Sequence, residues 1–354
     1  MKNTIRFGAL VAVSALALAA CASAPEETTP SETTAPTSTA AAPIDYLACM
    51  VSDAGGFDDK SFNQAGYEGL QSVANDTGVQ VKTAESKDEA DYANNINAMV
   101  SANCNLIITV GFLLADATAA AATANADTDF AIIDFAFDPA IPNVKGLTFE
   151  TDQAAFLAGY AAAGSTKTGT VATFGGMNIP TVTIFMDGFL AGVNYFNTET
   201  GGSVKVLGWD GKNGSFTDDF DDQTKGQNLA QGFIDQGADI IMPVAGPVGL
   251  GAAAAAKAAG NTWIVGVDSD WTLTTDYKDI ILTSVMKNMG PAVYDVVQAA
   301  ALGDGFSNEN YVGTLENGGV GLGTSAAVVP AEVLTKLEEL KAGIIDGSIP
   351  VKVS

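Results

Sequence analysis

The chain contains no histidine. That absence removes Ser-His-Asp and Cys-His nucleophilic catalysis and the commonest zinc sites. Cationic side chains are scarce as well. Sixteen lysines and arginines (16) stand against 41 aspartates and glutamates, a formal charge of −25. A surface that acidic does not neutralise phosphates, which argues against nucleic acid as a partner. It suits a soluble body outside the cytoplasm. Long apolar runs are missing too. Gly8 to Ala20 is too short to span a bilayer comfortably, and nothing later reads as a transmembrane helix.

What the N-terminus does carry is a targeting pattern. Lys2 and Arg6 precede the apolar stretch, which stops at Leu18-Ala19-Ala20-Cys21. Small residues before a cysteine are the pattern of a bacterial lipoprotein signal. Residues 1–20 read as the signal peptide, with lipid on Cys21 as the membrane anchor; an ordinary secretory signal is the other reading. Residues 21–43, the lipidated Cys21 followed by only Thr, Pro, Ser, Ala and Glu without a large apolar side chain, read as a disordered tether. Only Cys49 and Cys104 remain as cysteines. In an oxidising compartment they are a candidate disulfide, against two buried free thiols.

Residues 44–354 suit two domains of about 150 residues each. Apolar runs predict strands at Tyr46–Val51, Leu106–Val110, Phe130–Asp134, Val144–Thr148, Thr170–Phe174, Lys205–Trp209, Ile240–Pro243, Trp263–Val267 and Ile280–Val285. Several are continuously apolar, as in parallel strands buried on both faces. Helical patterns lie between them. Ser61-x-x-Gln64 reads as a capping box for the first helix, which Gly78 ends, and Asp88 caps the second. Repeated strand, helix and strand implies an α/β architecture of open parallel sheets covered by helices. Its natural site is the crevice at the carboxyl ends of the strands. Distinctive turns fall there: Asp53–Asn63, Gly111–Phe112, Gly175-Gly176-Met177, Asp210–Phe220, Ala245–Gly251 and Asp268–Trp271.

Several motifs have plain structural readings. Gly249-x-Gly251-x-x-Ala254 imitates a dinucleotide fingerprint, but its helix is nearly all alanine and tight turns also want glycine. Asp218, Asp219, Asp221 and Asp222 lack the alternating spacing of a calcium loop and fit a helix N-terminus. Asp58 and Asp59 resemble a carboxylate pair, yet adjacent aspartates in a turn point apart and serve backbone donors or Lys60. No catalytic, metal or cofactor site is expected. Phe62 and Phe216 are different. Each sits in a polar turn at the crevice, one per domain. They are either core filler or two rings that clamp a flat heterocycle.

The stretch Val51-Ser52-Asp53-Ala54-Gly55-Gly56-Phe57-Asp58-Asp59-Lys60-Ser61-Phe62-Asn63-Gln64 resembles the signature of the basic membrane protein family. These are the purine-nucleoside-receptor-like binding lipoproteins of ABC transporters. Gly214-Ser215-Phe216, Ala238-Asp239-Ile240, Ala245-Gly246, Val265-Gly266-Val267-Asp268, Ser284-Val285-Met286-Lys287, Gly319-Val320-Gly321-Leu322 and the segment from Ile344 to Ile349 follow in the family's order. The resemblance covers the chain beyond the tether.

It implies a type I periplasmic-binding-protein fold, two lobes each with a parallel sheet flanked by helices, and a ligand in the interlobe cleft. Lobe one would take residues 44–147 plus 287–304, and lobe two 148–286 plus 305–354. By motif, Phe62 and Phe216 would stack on a purine, Asp53 would bond the base edge, Asp268 and Lys287 the ribose hydroxyls, and Gly246 would bring backbone to the sugar. The family's base-contacting asparagine has no evident counterpart; Gly111, Phe112 and Asp116 mark its neighbourhood, and Met177 lies in a further crevice turn. The implied protein is a monomeric, extracytoplasmic, lipid-anchored carrier. It would capture a nucleoside by hinge closure and hand it to a permease driven by a cytoplasmic ATPase. The rivals are a sensor subunit of the same fold, a clamp for another heteroaromatic such as riboflavin, and a nucleoside hydrolase.

Overall fold

Apolar strand runs and amphipathic helices alternate in the computed structural model, which describes residues 42–351. The signal, the lipidation position Cys21 and nearly all of the tether lie outside the described residues. The strands are β1 (Leu47–Val51), β2 (Gln80–Ala84), β3 (Leu106–Val110), β4 (Asp129–Ile133), β5 (Val144–Phe149), β6 (Thr170–Gly175), β7 (Lys205–Leu207), β8 (Ile240–Val244), β9 (Trp263–Asp268), β10 (Ile281–Lys287), β11 (Tyr311–Gly313) and β12 (Val320–Leu322). They form two six-stranded sheets, ordered β11-β5-β4-β3-β1-β2 and β12-β10-β9-β8-β6-β7. Every pairing is parallel except β10 with β12. The central strands β3 and β8 are buried along their whole length, which is why they read as unbroken apolar runs.

Three strands were not legible. β2 is an edge strand with three exposed polar residues, Gln80, Lys82 and Thr83, among its five, and β11 and β12 have three residues each. That is too short to show a period of two.

Sheet membership makes the chain cross between the lobes three times: between β5 and β6, between β10 and β11, and between β11 and β12. The last crossing therefore follows Gly313. The 304/305 boundary is too early, because β11 pairs with β5 in the first sheet; the 147/148 boundary cuts β5, and the 286/287 boundary cuts off Lys287, which ends β10 in the second sheet. The helix Met289–Leu302 packs on the helix Phe62–Thr77 in the first lobe, and Ala331–Ile345 packs on Thr151–Ser165 in the second.

Cys49 and Cys104 are bonded to each other, with Cα atoms 6.0 Å apart. Cys49 lies in β1 and Cys104 in the turn before β3, the neighbouring strand, where Asn103 at φ 58° bends the chain. Among the described residues no helix is long and apolar enough to cross a membrane.

Candidate ligand-binding site

Strand ends from both sheets converge on one cavity of about 610 Å³ of atom-free space, solvent at its mouth included. The first lobe supplies Asp53 after β1, Gly111 after β3 and Asp134 after β4. The second supplies Gly246 after β8, Asp268 at the end of β9 and Lys287 at the end of β10.

Asp59 builds the entrance of the first helix. Its carboxylate accepts from the backbone N–H groups of Ser61 (2.9 Å), Asn63 (2.8 Å) and Gln64 (3.0 Å). These are donors that a helix start leaves unsatisfied. Burial pushes the Asp59 carboxyl up while those three donors pull it down. The expected capping box is thus replaced. Gln64 Oε1 accepts from Lys60 N (3.1 Å), and the Ser61 hydroxyl, which makes no cap bond, donates instead to Asp268 Oδ2 at 3.0 Å. Asp58 pairs with Lys60 at the surface.

Phe62, the first helical residue, lines the cavity. Its ring lies beside Gly111, where φ is 114° and an added Cβ would fall 2.6 Å from Asp53 Oδ2. Only glycine fits that turn. Phe112 lines the same wall, braced edge-on by Phe135 at 5.4 Å.

Four carboxylates face this space with one cation, Asp59 and Asp268 buried and Asp53 and Asp134 half-buried. Asp53 accepts from Asn63 Nδ2 at 2.7 Å. Burial, reinforced by Asp59, Asp134 and Asp221 and opposed by Asn63, pushes Asp53 up to about 8. At neutral pH it is mostly protonated and able to donate as well as accept. Asn63 is buried, and its Oδ1 has no partner. Asp268 is pushed up to about 6, mainly by burial, with Lys287 pulling it down. Asp134 pairs with the Lys287 ammonium; burial raises its carboxyl and Lys287 lowers it. Lys287 Nζ also lies 4.8 Å from the Phe62 ring centroid. The Ser61–Asp268 and Lys287–Asp134 contacts both join the lobes.

The pattern of a family described as "ABC transporter substrate-binding protein PnrA-like" matches residues 47–354. The chain belongs to this family. It is 32% identical over 360 residues to the "ABC transporter nucleoside-binding protein BmpA" of Lactococcus lactis subsp. cremoris, covering 97% of this chain and 98% of that protein. It is 30% identical over 301 residues to "Basic membrane protein A" of Borreliella burgdorferi, covering 84% and 85%. Among solved structures, an ABC transporter solute-binding protein from Aeropyrum pernix K1 superimposes with a TM-score of 0.77 at 26% identity, covering 86% of this chain and 92% of that one. The two-sheet architecture is that of type I solute-binding proteins, and the family serves transport rather than catalysis.

Of the residues that motif and family pointed to, Asp53, Phe62, Gly111, Phe112, Gly246, Asp268 and Lys287 line the cavity. Phe216, Asp116 and Met177 do not. Phe216 forms a bridge with Gly175 and packs edge-on against Trp209 at 6.1 Å, so its half-buried ring lies against the core rather than on the cavity. Phe220, four residues on, lines the cavity in its place. Between them Asp219 accepts from the backbone N–H groups of Asp221 (2.7 Å) and Asp222 (2.9 Å), a tight turn that re-aims the chain. Asp116 is exposed on the helix Ala115–Ala124, and Met177 is half-buried in the turn before Pro180–Thr200.

Sequence reasoning missed Asn63, Asp59, Asp134 and Phe220 as site residues. Asp134 carried a signal: like Asp53 and Asp268, it is an aspartate at the carboxyl end of an apolar run. The remaining motifs have structural work. Asp222 caps the helix Gln223–Asp235 by accepting from Thr224 N (2.9 Å), and Asp219 pairs with Lys225. Gly251 lies where an added Cβ would fall 1.8 Å from the Gln223 carbonyl oxygen, a helix-to-helix contact outside the cavity. No group of three metal-ligating side chains that could hold an ion occurs among the described residues.

Proposed function

We propose that the interlobe cavity binds a purine nucleoside and that the protein is the lipid-anchored, extracytoplasmic carrier of an ABC importer. The observation that carries this reading is the pairing of Phe62 from one lobe with Phe220 from the other on a single cavity. Aromatic faces stack on a flat base and contribute about 1–3 kcal/mol each. At one end Asp53, protonated, and Asn63, with an unused acceptor, address the base edge. At the other, Asp268 and Lys287 take the ribose hydroxyls, the carboxylate accepting and the ammonium donating. Gly246 keeps the backbone close to the sugar.

The charge balance supports a neutral ligand. The cavity's single ammonium is already paired with Asp134, four carboxylates surround it, and residues 42–351 contain no arginine. A phosphate would meet net negative charge there. The name of the Lactococcus lactis relative, a nucleoside-binding protein, agrees with this reading. Each lobe supplies part of the contacts, so ligand favours the closed form. The carrier acts as a monomer, held by lipid on Cys21, and delivers to a permease and its ATPase. Mass spectrometry of the small molecules released on unfolding the purified protein tests the ligand. A purine nucleoside in near-stoichiometric amount supports the proposal; riboflavin or a non-aromatic solute refutes it.

A further inference from the structure

A second cavity lies behind the Lys287–Asp134 pair. Those two residues and Thr181 belong to both linings. Beyond them the second chamber is walled by Phe149 and Ile184 and reaches Thr151, with about 470 Å³ of atom-free space, solvent at its mouth included. Asp53 and Asn63, the base end of the main site, take no part in it.

The chamber contains an unmet hydrogen-bonding group. Thr151 is 1% exposed, and its Oγ1 has no partner. Buried hydroxyls are almost always paired, so an orphan facing a cavity marks the place of a missing group. The neighbouring Thr148 hydroxyl is already committed to the Tyr311 carbonyl at 3.1 Å. Thr151 opens the helix Thr151–Ser165, and Pro180 and Thr181 open Pro180–Thr200. Two helix N-termini thus favour an electron-rich atom in the chamber. Its only charged lining residues, Lys287 and Asp134, neutralise each other. The chemistry that fits is uncharged and mostly apolar, with one acceptor.

We propose that this chamber is a subsite for an uncharged oxygen- or sulfur-bearing substituent on the sugar of the bound nucleoside, with Thr151 Oγ1 donating to its heteroatom. The inference rests on the nucleoside reading. The sugar is held at Lys287, and the chamber begins on the far side of that residue, so a small ether extends from one cavity into the next past Thr181.

The test is calorimetric titration of the ligand-free protein with the purine nucleoside that binds best and with its 2′-, 3′- and 5′-O-methyl ethers. At least one ether should bind within about threefold of the parent, a difference smaller than one lost hydrogen bond. Ile184→Phe, which fills the chamber, should weaken that ether by about tenfold or more, as overpacking does, while the parent changes little. Thr151→Val should weaken the ether by about two- to tenfold and spare the parent. Rejection of all three ethers by the unaltered protein overturns the subsite. So does an Ile184→Phe effect equal on ether and parent. Failure of every parent nucleoside to bind overturns the underlying nucleoside reading as well, and is seen before any ether is added.

Discussion

Ser61 Oγ donates a hydrogen bond to Asp268 Oδ2 at 3.0 Å across the interlobe cleft. A residue that sequence pattern assigns to capping its own helix instead ties the two lobes together, because Asp59 has taken over the cap.

That exchange separates two variants. Asp59→Ala removes the acceptor for three backbone donors and should destabilise the protein by about 1–3 kcal/mol in urea unfolding. Ser61→Ala should cost about 1 kcal/mol or less in the same measurement, yet expand the ligand-free protein in small-angle scattering by loosening the closed form. Equal stability losses with no change in dimensions would contradict this division.

The two phenylalanines of the second-lobe loop should behave oppositely. Phe220→Ala, like Phe62→Ala, should weaken nucleoside binding by about 1–3 kcal/mol and leave the fold intact. Phe216→Ala should lower the melting temperature through about 1–2 kcal/mol of lost packing by its half-buried ring, with affinity little changed. Titration and thermal unfolding of the three variants decide this. A binding defect confined to Phe216→Ala would restore the assignment drawn from the motif.

Stability should fall as pH rises from about 4 to about 8. Asp53 and Asp268 are raised to about 8 and about 6 from the ordinary carboxylate value. Between that ordinary value and the raised ones, the folded state holds protons that the unfolded state has released, so rising pH favours unfolding. Asp53→Asn should therefore be more stable than the unaltered protein by about 1–3 kcal/mol at pH 8. The gap should close towards pH 4. Parallel stability curves across that range would show that Asp53 titrates normally.

The Cys49–Cys104 bond closes a loop spanning 55 residues of separation. Chain-entropy reasoning gives about 4 kcal/mol for such a loop. Replacing both cysteines by serine should lower the unfolding free energy by about 2–4 kcal/mol and leave ligand affinity within about twofold, since neither lines the cavity. Loss of affinity without loss of stability would be contrary.

Much of this architecture was legible because strands buried on both faces print as continuous apolar runs. The turns after such runs line the cavity, so Asp53, Gly111, Gly246 and Asp268 fall in turns named from position, whereas Lys287 was reached only through the family resemblance. Edge strands leave no such print: β2 has a solvent face, and β11 and β12 are too short. The third crossover was misplaced for that reason. Phe216 and Phe220 lie in the same polar loop, and the choice between them rests on the Gly175–Phe216 bridge and on two backbone bonds to Asp219. Neither is a property of composition or spacing. Asn63 escaped because a polar residue in a helix's first turn reads as solvent-facing, whereas here it is buried against Asp53.

The most direct measurement is calorimetric titration of the protein, unfolded and refolded to strip bound ligand, with adenosine, guanosine, inosine, cytidine, uridine, free bases and riboflavin. Micromolar or tighter binding of purine nucleosides, with free bases much weaker, is the result that the Phe62–Phe220 pair and the Asp268–Lys287 end of the cavity predict. Binding of riboflavin alone, or of free bases as tightly as their nucleosides, would contradict it.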